Sequence, residues 1–130
     1  MAQAISSLPE HGRVPCTLCH RGKTYEFDRT ITQDGTWRIT NNPLAWGSTT
    51  PIVVVLGFSK GPTQAGALAS QPHSAVPFRS GRTNLAKILH HIGLLAAPNS
   101  ELVDRLIADP TGDFHFGSLI RCTVERKDEK

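Results

Sequence analysis

The sequence predicts an α/β domain organised around a parallel strand pair, and three observations carry that reading. Pro51-Ile-Val-Val-Val-Leu-Gly57 is a β-branched run without polar alternation, the pattern of a strand buried on both faces. Leu85, Ile88, Leu89 and Ile92 fall at i, i+3, i+4 and i+7, so 83–92 reads as an amphipathic helix stopped by Gly93. Phe114–Val124 returns as a strand, and strand, loop, helix, helix, strand is the order of a βαβ crossover.

The remaining elements follow from local chemistry. Residues 1–15 read as an extended lead-in, because Pro9, Gly12 and Pro15 discourage a helix. Between Lys23 and Thr40, Tyr25, Phe27, Ile31, Trp37 and Ile39 stand at roughly alternate positions around Asp34-Gly35, which predicts a hairpin. Asn41-Asn42-Pro43 breaks that run, and Leu44-Ala45-Trp46-Gly47 reads as an apolar loop. Phe58–Arg82 is rich in Gly, Pro, Ser and Gln with little periodicity, and so long a loop in a compact domain is functional or disordered. A shorter helix starts at a Ser100 cap, carries Leu102, Val103, Leu106 and Ile107, and ends before Pro110. Residues 125–130 form a solvated tail of mixed charge.

Length and composition bound the class. At 130 residues the chain fits one domain and can bury a core without disulfide staples. Its 11 Gly and 9 Pro point to many turns. The formal charge of +3 permits a nucleic-acid partner without requiring one. The N-terminus has no apolar core of a secretory signal, and Ile52–Leu56 is too short to span a bilayer. The expectation is a soluble, cytoplasmic protein with no membrane partner.

Two motifs could carry chemistry. Ligands of open α/β sheets bind beyond the carboxyl ends of strands. That directs attention to Gly57-Phe58-Ser59-Lys60-Gly61 and to Ser118–Cys122. The glycines would let backbone amides approach an anionic or planar group, although the Walker A pattern is absent. The plain alternative is a turn that simply leaves the sheet. Pro77-Phe78-Arg79-Ser80-Gly81-Arg82 precedes the longer helix, where an N-terminus beside two arginines suits a phosphate. Phe78 would offer a stacking face for a base; its bland counterpart is a core plug in a basic turn.

Taken together, these pieces resemble the uracil-DNA glycosylase superfamily, most closely its iron–sulfur branch. The likeness rests on the aliphatic strand ending in Gly-x-x-x-Gly, on P-F-x-S-G-x-x-x-L, on a later strand ending in a basic residue and Cys, and on Cys16-x-x-Cys19, all in shared order. It implies a three-layer αβα fold with a four-stranded, mainly parallel sheet over 16–124, and excision of a base flipped into a pocket. By position it implies Gly57, Phe58 and Ser59 at the water-activating loop, Phe78 under the base, and Ser118 at the uracil edge. Lys60, Arg79, Ser80 and Arg82 would face phosphates. The chain departs from the pattern where Phe58 and Ser59 replace an acidic residue or Asn. It departs again at Ser118, whose hydroxyl cannot reproduce the paired donor and acceptor of an amide. A fourth cysteine and a histidine-bearing loop are expected beyond Lys130, so the likeness covers the front of such a domain, its C-terminal part missing, and excision by this polypeptide alone is not expected. No catalytic residue is assigned.

Cys16, Cys19 and Cys122 match three of the four ligands of a 4Fe-4S cluster in that branch. The residues leave other readings open. Cys16, Cys19, Cys122 and His20 make a complete zinc set. Cys16-Thr-Leu-Cys19-His20 also satisfies the haem c attachment pattern. Three free thiols in a reducing cytosol need no ligand at all. Three function classes follow: a DNA-base-excision-type domain, a non-catalytic nucleic-acid-binding module, and a small metal-binding or electron-transfer protein. His90 and His91 read as surface residues of the helix rather than ligands, and His115, alternating with Phe114 and Phe116, as facing away from the apolar side of its strand.

Overall fold

The computed structural model describes residues 8–68 and 70–127, whose strands form two sheets. The first contains β1 (Gly12–Arg13), β4 (Leu44–Gly47), β6 (Phe114–Ser118) and β5 (Val53–Gly57), in that spatial order. The second contains β2 (Ile31–Asp34), β3 (Trp37–Thr40) and β7 (Thr123–Arg126). Helices α1 (Pro62–Ala67), α2 (Arg82–His91) and α3 (Ser100–Ala108) lie between β5 and β6 in the chain. No helix of the described residues is long and apolar enough to cross a membrane.

The expected three-layer αβα fold with a mainly parallel sheet is not what forms. Only β5 and β6 pair in parallel, from Val53 opposite Phe114 to Gly57 opposite Ser118. The β1–β4, β4–β6, β2–β3 and β3–β7 pairs are all antiparallel. Two features of the chain produce this. Leu44–Gly47, read as a loop, is a wholly buried strand that inserts beside β6. The expected single strand 114–124 is broken at 119–122, and its two halves serve different sheets.

Long-range pairing also revises β5. Its residues alternate between half-buried and exposed, with Val54 and Leu56 open to solvent, instead of being covered on both faces. It is the edge strand of its sheet among the described residues. Val53 N–H and Gly57 C=O bond toward β6, so in a parallel ladder Val54 and Leu56 turn their N–H and C=O groups outward.

A hairpin forms around Asp34-Gly35, with Gly35 at φ +58°, but it is shorter than expected: its strands run only from Ile31 to Thr40, and Tyr25 and Phe27 lie before it in turns and irregular backbone. Helix α2 forms one residue earlier than expected and rotates its stripe. Ala86 and Leu89 are buried while Ile88 and Ile92 are each 58% exposed. In α3, Val103 and Ile107 are buried one turn apart. Its cap is Asn99, not Ser100: the Asn99 side chain accepts from Glu101 N–H at 2.9 Å. The long loop also holds α1 and a 3₁₀ turn at His73–Ala75. Strand β1 gives the lead-in a paired segment, and β7 takes Glu125 and Arg126 from the expected tail; residues 1–7 and 128–130 lie outside the described residues.

The core joins Trp46 and Leu44 of β4, Phe114 and Phe116 of β6, Val76, and the buried faces of α2 and α3. Each large apolar side chain buried there contributes about 1.5–3 kcal/mol relative to exposure. Asn42 couples the two sheets: it sits wholly buried before β4, donating to Thr123 Oγ1 at 2.9 Å and accepting from Thr123 N–H at 2.7 Å.

Candidate functional site

The carboxyl ends of β5 and β6 place Gly57 opposite Ser118, and the loop before α2 brings Phe78 to the same point. A side-chain carbon added to Gly57 would stand 3.5 Å from Phe78 Cε1, so the ring edge lies directly over the bare backbone. Phe78 holds φ +52°, in the left-handed region that costs an aromatic residue roughly 1–3 kcal/mol. Its ring meets Phe116 edge-to-face at 6.2 Å, which fixes its tilt from below.

Around this contact lies a cleft of about 240 Å³. Gly57, Ser59, Phe78 and Ser118 line it as expected, and Lys60 shares the wall. Trp46, Gln64, Pro77 and Gly117 complete it and were not foreseen. Trp46 was hidden because its four-residue strand carries no readable period; its indole donates to the His73 carbonyl at 2.9 Å and stacks on that imidazole at 5.0 Å. The volume is below the ~300–1,000 Å³ of drug-sized sites and suits one small planar ring. Hydroxyls of Ser59 and Ser118 and the Gln64 amide supply donors and acceptors beside the Phe78 face. None of the described residues that line it is a carboxylate or a histidine.

Phe58 does not join the cleft. It is 65% exposed and lines an apolar groove of about 290 Å³ with Trp37, Ile39, Ile120 and Val124. The strand alternation that points Gly57 inward turns Phe58 to the other side.

The four expected phosphate contacts divide. Lys60 is only 2% exposed, and its ammonium donates to the Arg121 carbonyl. Burial pulls its pKa down to about 8, and the neighbouring Cys122 and Asp28 work in the opposite direction. Arg82 is consumed within the fold: Nε donates to Pro77 O at 3.0 Å, Nη2 to Ser74 O at 2.6 Å, and Nη1 pairs with Asp104 at 2.8 Å. Arg79 and Ser80 remain exposed at the start of α2, outside the cleft.

Cys16 is half-buried, Cys19 exposed and Cys122 buried, all as free thiols. Burial raises the Cys122 pKa, and Cys19 and Cys16 push it the same way, against Asn42 and Lys60. Among the described residues no group of three or more His, Cys, Asp or Glu side chains is placed to hold a metal ion. His20 is buried, its Nδ1 bonded to Thr32 Oγ1 at 2.8 Å. Burial and then Lys23 lower its pKa.

Comparison with protein-family models, with curated proteins and with solved structures finds no match to this chain.

Proposed function

We propose that the chain is a DNA-base-recognition domain of the excision type, taking one unpaired nucleobase into the cleft. The supporting observation is the convergence of Gly57, Ser59, Phe78 and Ser118, predicted from separate motifs, on one ring-sized space. Phe78 serves as the stacking face, the hydroxyls of Ser59 and Ser118 with Gln64 meet the polar edge of the base, and Arg79 with Ser80 meets the backbone.

A second reading, binding without bond cleavage, is favoured by one feature. Among the described residues the cleft lining has no carboxylate or imidazole to take a proton from water. The residues described here then supply recognition alone.

Fluorescence anisotropy on labelled oligonucleotides tests both. Binding should favour unpaired uracil or hypoxanthine over matched duplex, and Phe78→Ala should weaken it roughly tenfold, within the ~1–3 kcal/mol of base stacking. Equal affinity of Phe78→Ala and the parent protein sinks the base-pocket reading. Release of free base, assayed as alkali-labile strand breaks, sinks the non-catalytic one. Ligation of an iron–sulfur cluster or zinc by Cys16, Cys19 and Cys122 stands as a separate proposal. Visible absorption with bound iron, or stoichiometric zinc in a colourless protein, supports it, and a metal-free protein ends it.

A further inference from the structure

Two buried polar atoms that have no partner among the described residues border the same point in the fold. His115 is fully buried on β6, with Nδ1 2.9 Å from the Ser48 carbonyl oxygen. A carbonyl only accepts, so Nδ1 carries the proton and Nε2 keeps a lone pair. Among the described residues that Nε2 has no partner, and neither has Arg121 Nη1, although both are sealed from solvent. The position a side-chain carbon would occupy on Gly117 is 3.4 Å from Nε2 and 3.6 Å from Nη1. Gly117 thus puts no side chain between the two nitrogens.

The chemistry of the two nitrogens selects what can sit there. The guanidinium only donates and the imidazole Nε2 only accepts. An anion would meet the lone pair, and a metal cation would meet the guanidinium charge. A neutral hydroxyl satisfies both, because it accepts from one and donates to the other.

We propose that His115 Nε2 and Arg121 Nη1 hold a single buried water molecule over Gly117. A buried polar atom left unmet is expensive, and buried waters occupy sites that offer such atoms. Burial, with the Arg121 charge beside it, lowers the His115 pKa and keeps the ring neutral, so the accepting lone pair persists. The guanidinium draws electron density from the water and the imidazole draws its proton. The proposal stands on the two nitrogens and does not require that the cleft take a base.

Nuclear magnetic resonance on the ¹⁵N-labelled protein tests it. Long-range ¹H–¹⁵N spectra should show His115 as the neutral Nδ1–H tautomer. Water-selective Overhauser spectra should show a long-lived water contacting the His115 ring and the Gly117 amide. In Gly117→Ala the methyl takes the water's place, so those cross-peaks should vanish, the Nε2 shift should move, and the thermal midpoint should fall by about 5 °C. Absence of the cross-peaks in the parent protein, their survival in Gly117→Ala, or an Nε2–H tautomer overturns the proposal. Should Gly117→Ala fail to fold, the cross-peaks and tautomer of the parent protein decide the matter by themselves.

Discussion

At the scale of single residues, the fold depends on positions whose neighbours are far away in sequence. Gly47 holds φ +88°, and a side-chain carbon there would stand 2.2 Å from the Phe114 carbonyl oxygen. Gly47→Ala is therefore expected to destabilise the protein by at least about 3 kcal/mol, combining left-handed strain with a backbone clash. Urea unfolding followed by circular dichroism measures this, and a loss below about 1 kcal/mol contradicts the account. Asn42 makes the same point chemically. In isolation Asn41-Asn42-Pro43 reads as a chain break, and it does end β3. The wholly buried amide of Asn42 has its purpose in Thr123, 81 positions on, and no local pattern foretells that bond. The cleft was more legible: Gly57, Ser59, Phe78 and Ser118 sit at element ends, where sequence punctuation is strongest. Phe58 was misplaced because a one-residue step along a strand reverses the side-chain direction.

Among elements, the segment leading into α2 separates structural from exposed cations. Arg82 replaces a missing side-chain cap by tying Ser74 and Pro77 to α3 through Asp104. Arg82→Ala should cost about 2 kcal/mol of stability, since it leaves buried carbonyls without donors, and should leave the salt dependence of nucleic-acid binding unchanged. Arg79→Ala should do the reverse, unfolding like the parent protein while the slope of log affinity against log salt falls by about one. Urea titrations and binding at several salt concentrations, run on both variants, distinguish these roles. Helix α3 and the hairpin were readable because a 3.6-residue period and an Asp-Gly turn are local signals. The sheet order was not. Strand β4 is four residues long, too short to show alternation, and its insertion beside β6 replaces the expected parallel neighbour with an antiparallel one. The stripe of α2 was misjudged for a related reason: Ala86 supplies the buried face, and alanine carries little hydrophobic signal.

For the whole molecule, buried and half-buried histidines set the response to acid. His11, His20, His73 and His115 all have pKa values lowered chiefly by burial, and His73 falls to about 4 with further help from His11. Each stays neutral in the fold where the unfolded chain would bind a proton. The native state therefore keeps its full stability above the ordinary histidine pKa of about 6.5 and loses it progressively as pH falls toward 4. The urea midpoint should be clearly lower at about pH 5 than at about pH 7.5. A flat profile across that window would mean that these rings titrate normally. The rim of β5, which no described strand covers, has a different consequence. Pro51–Ser59 contains no charged residue, and Ile52, Val54, Leu56 and Phe58 stand exposed along it. Natural sheets protect such margins with lysine, bulges or proline. Here the strand is a template on which a second copy of the chain can crystallise its own backbone, so light scattering should rise steeply with protein concentration. Val54→Lys, which puts a charge on that rim at a solvent-facing position, should suppress the rise while leaving the unfolding transition within about 0.5 kcal/mol of the parent.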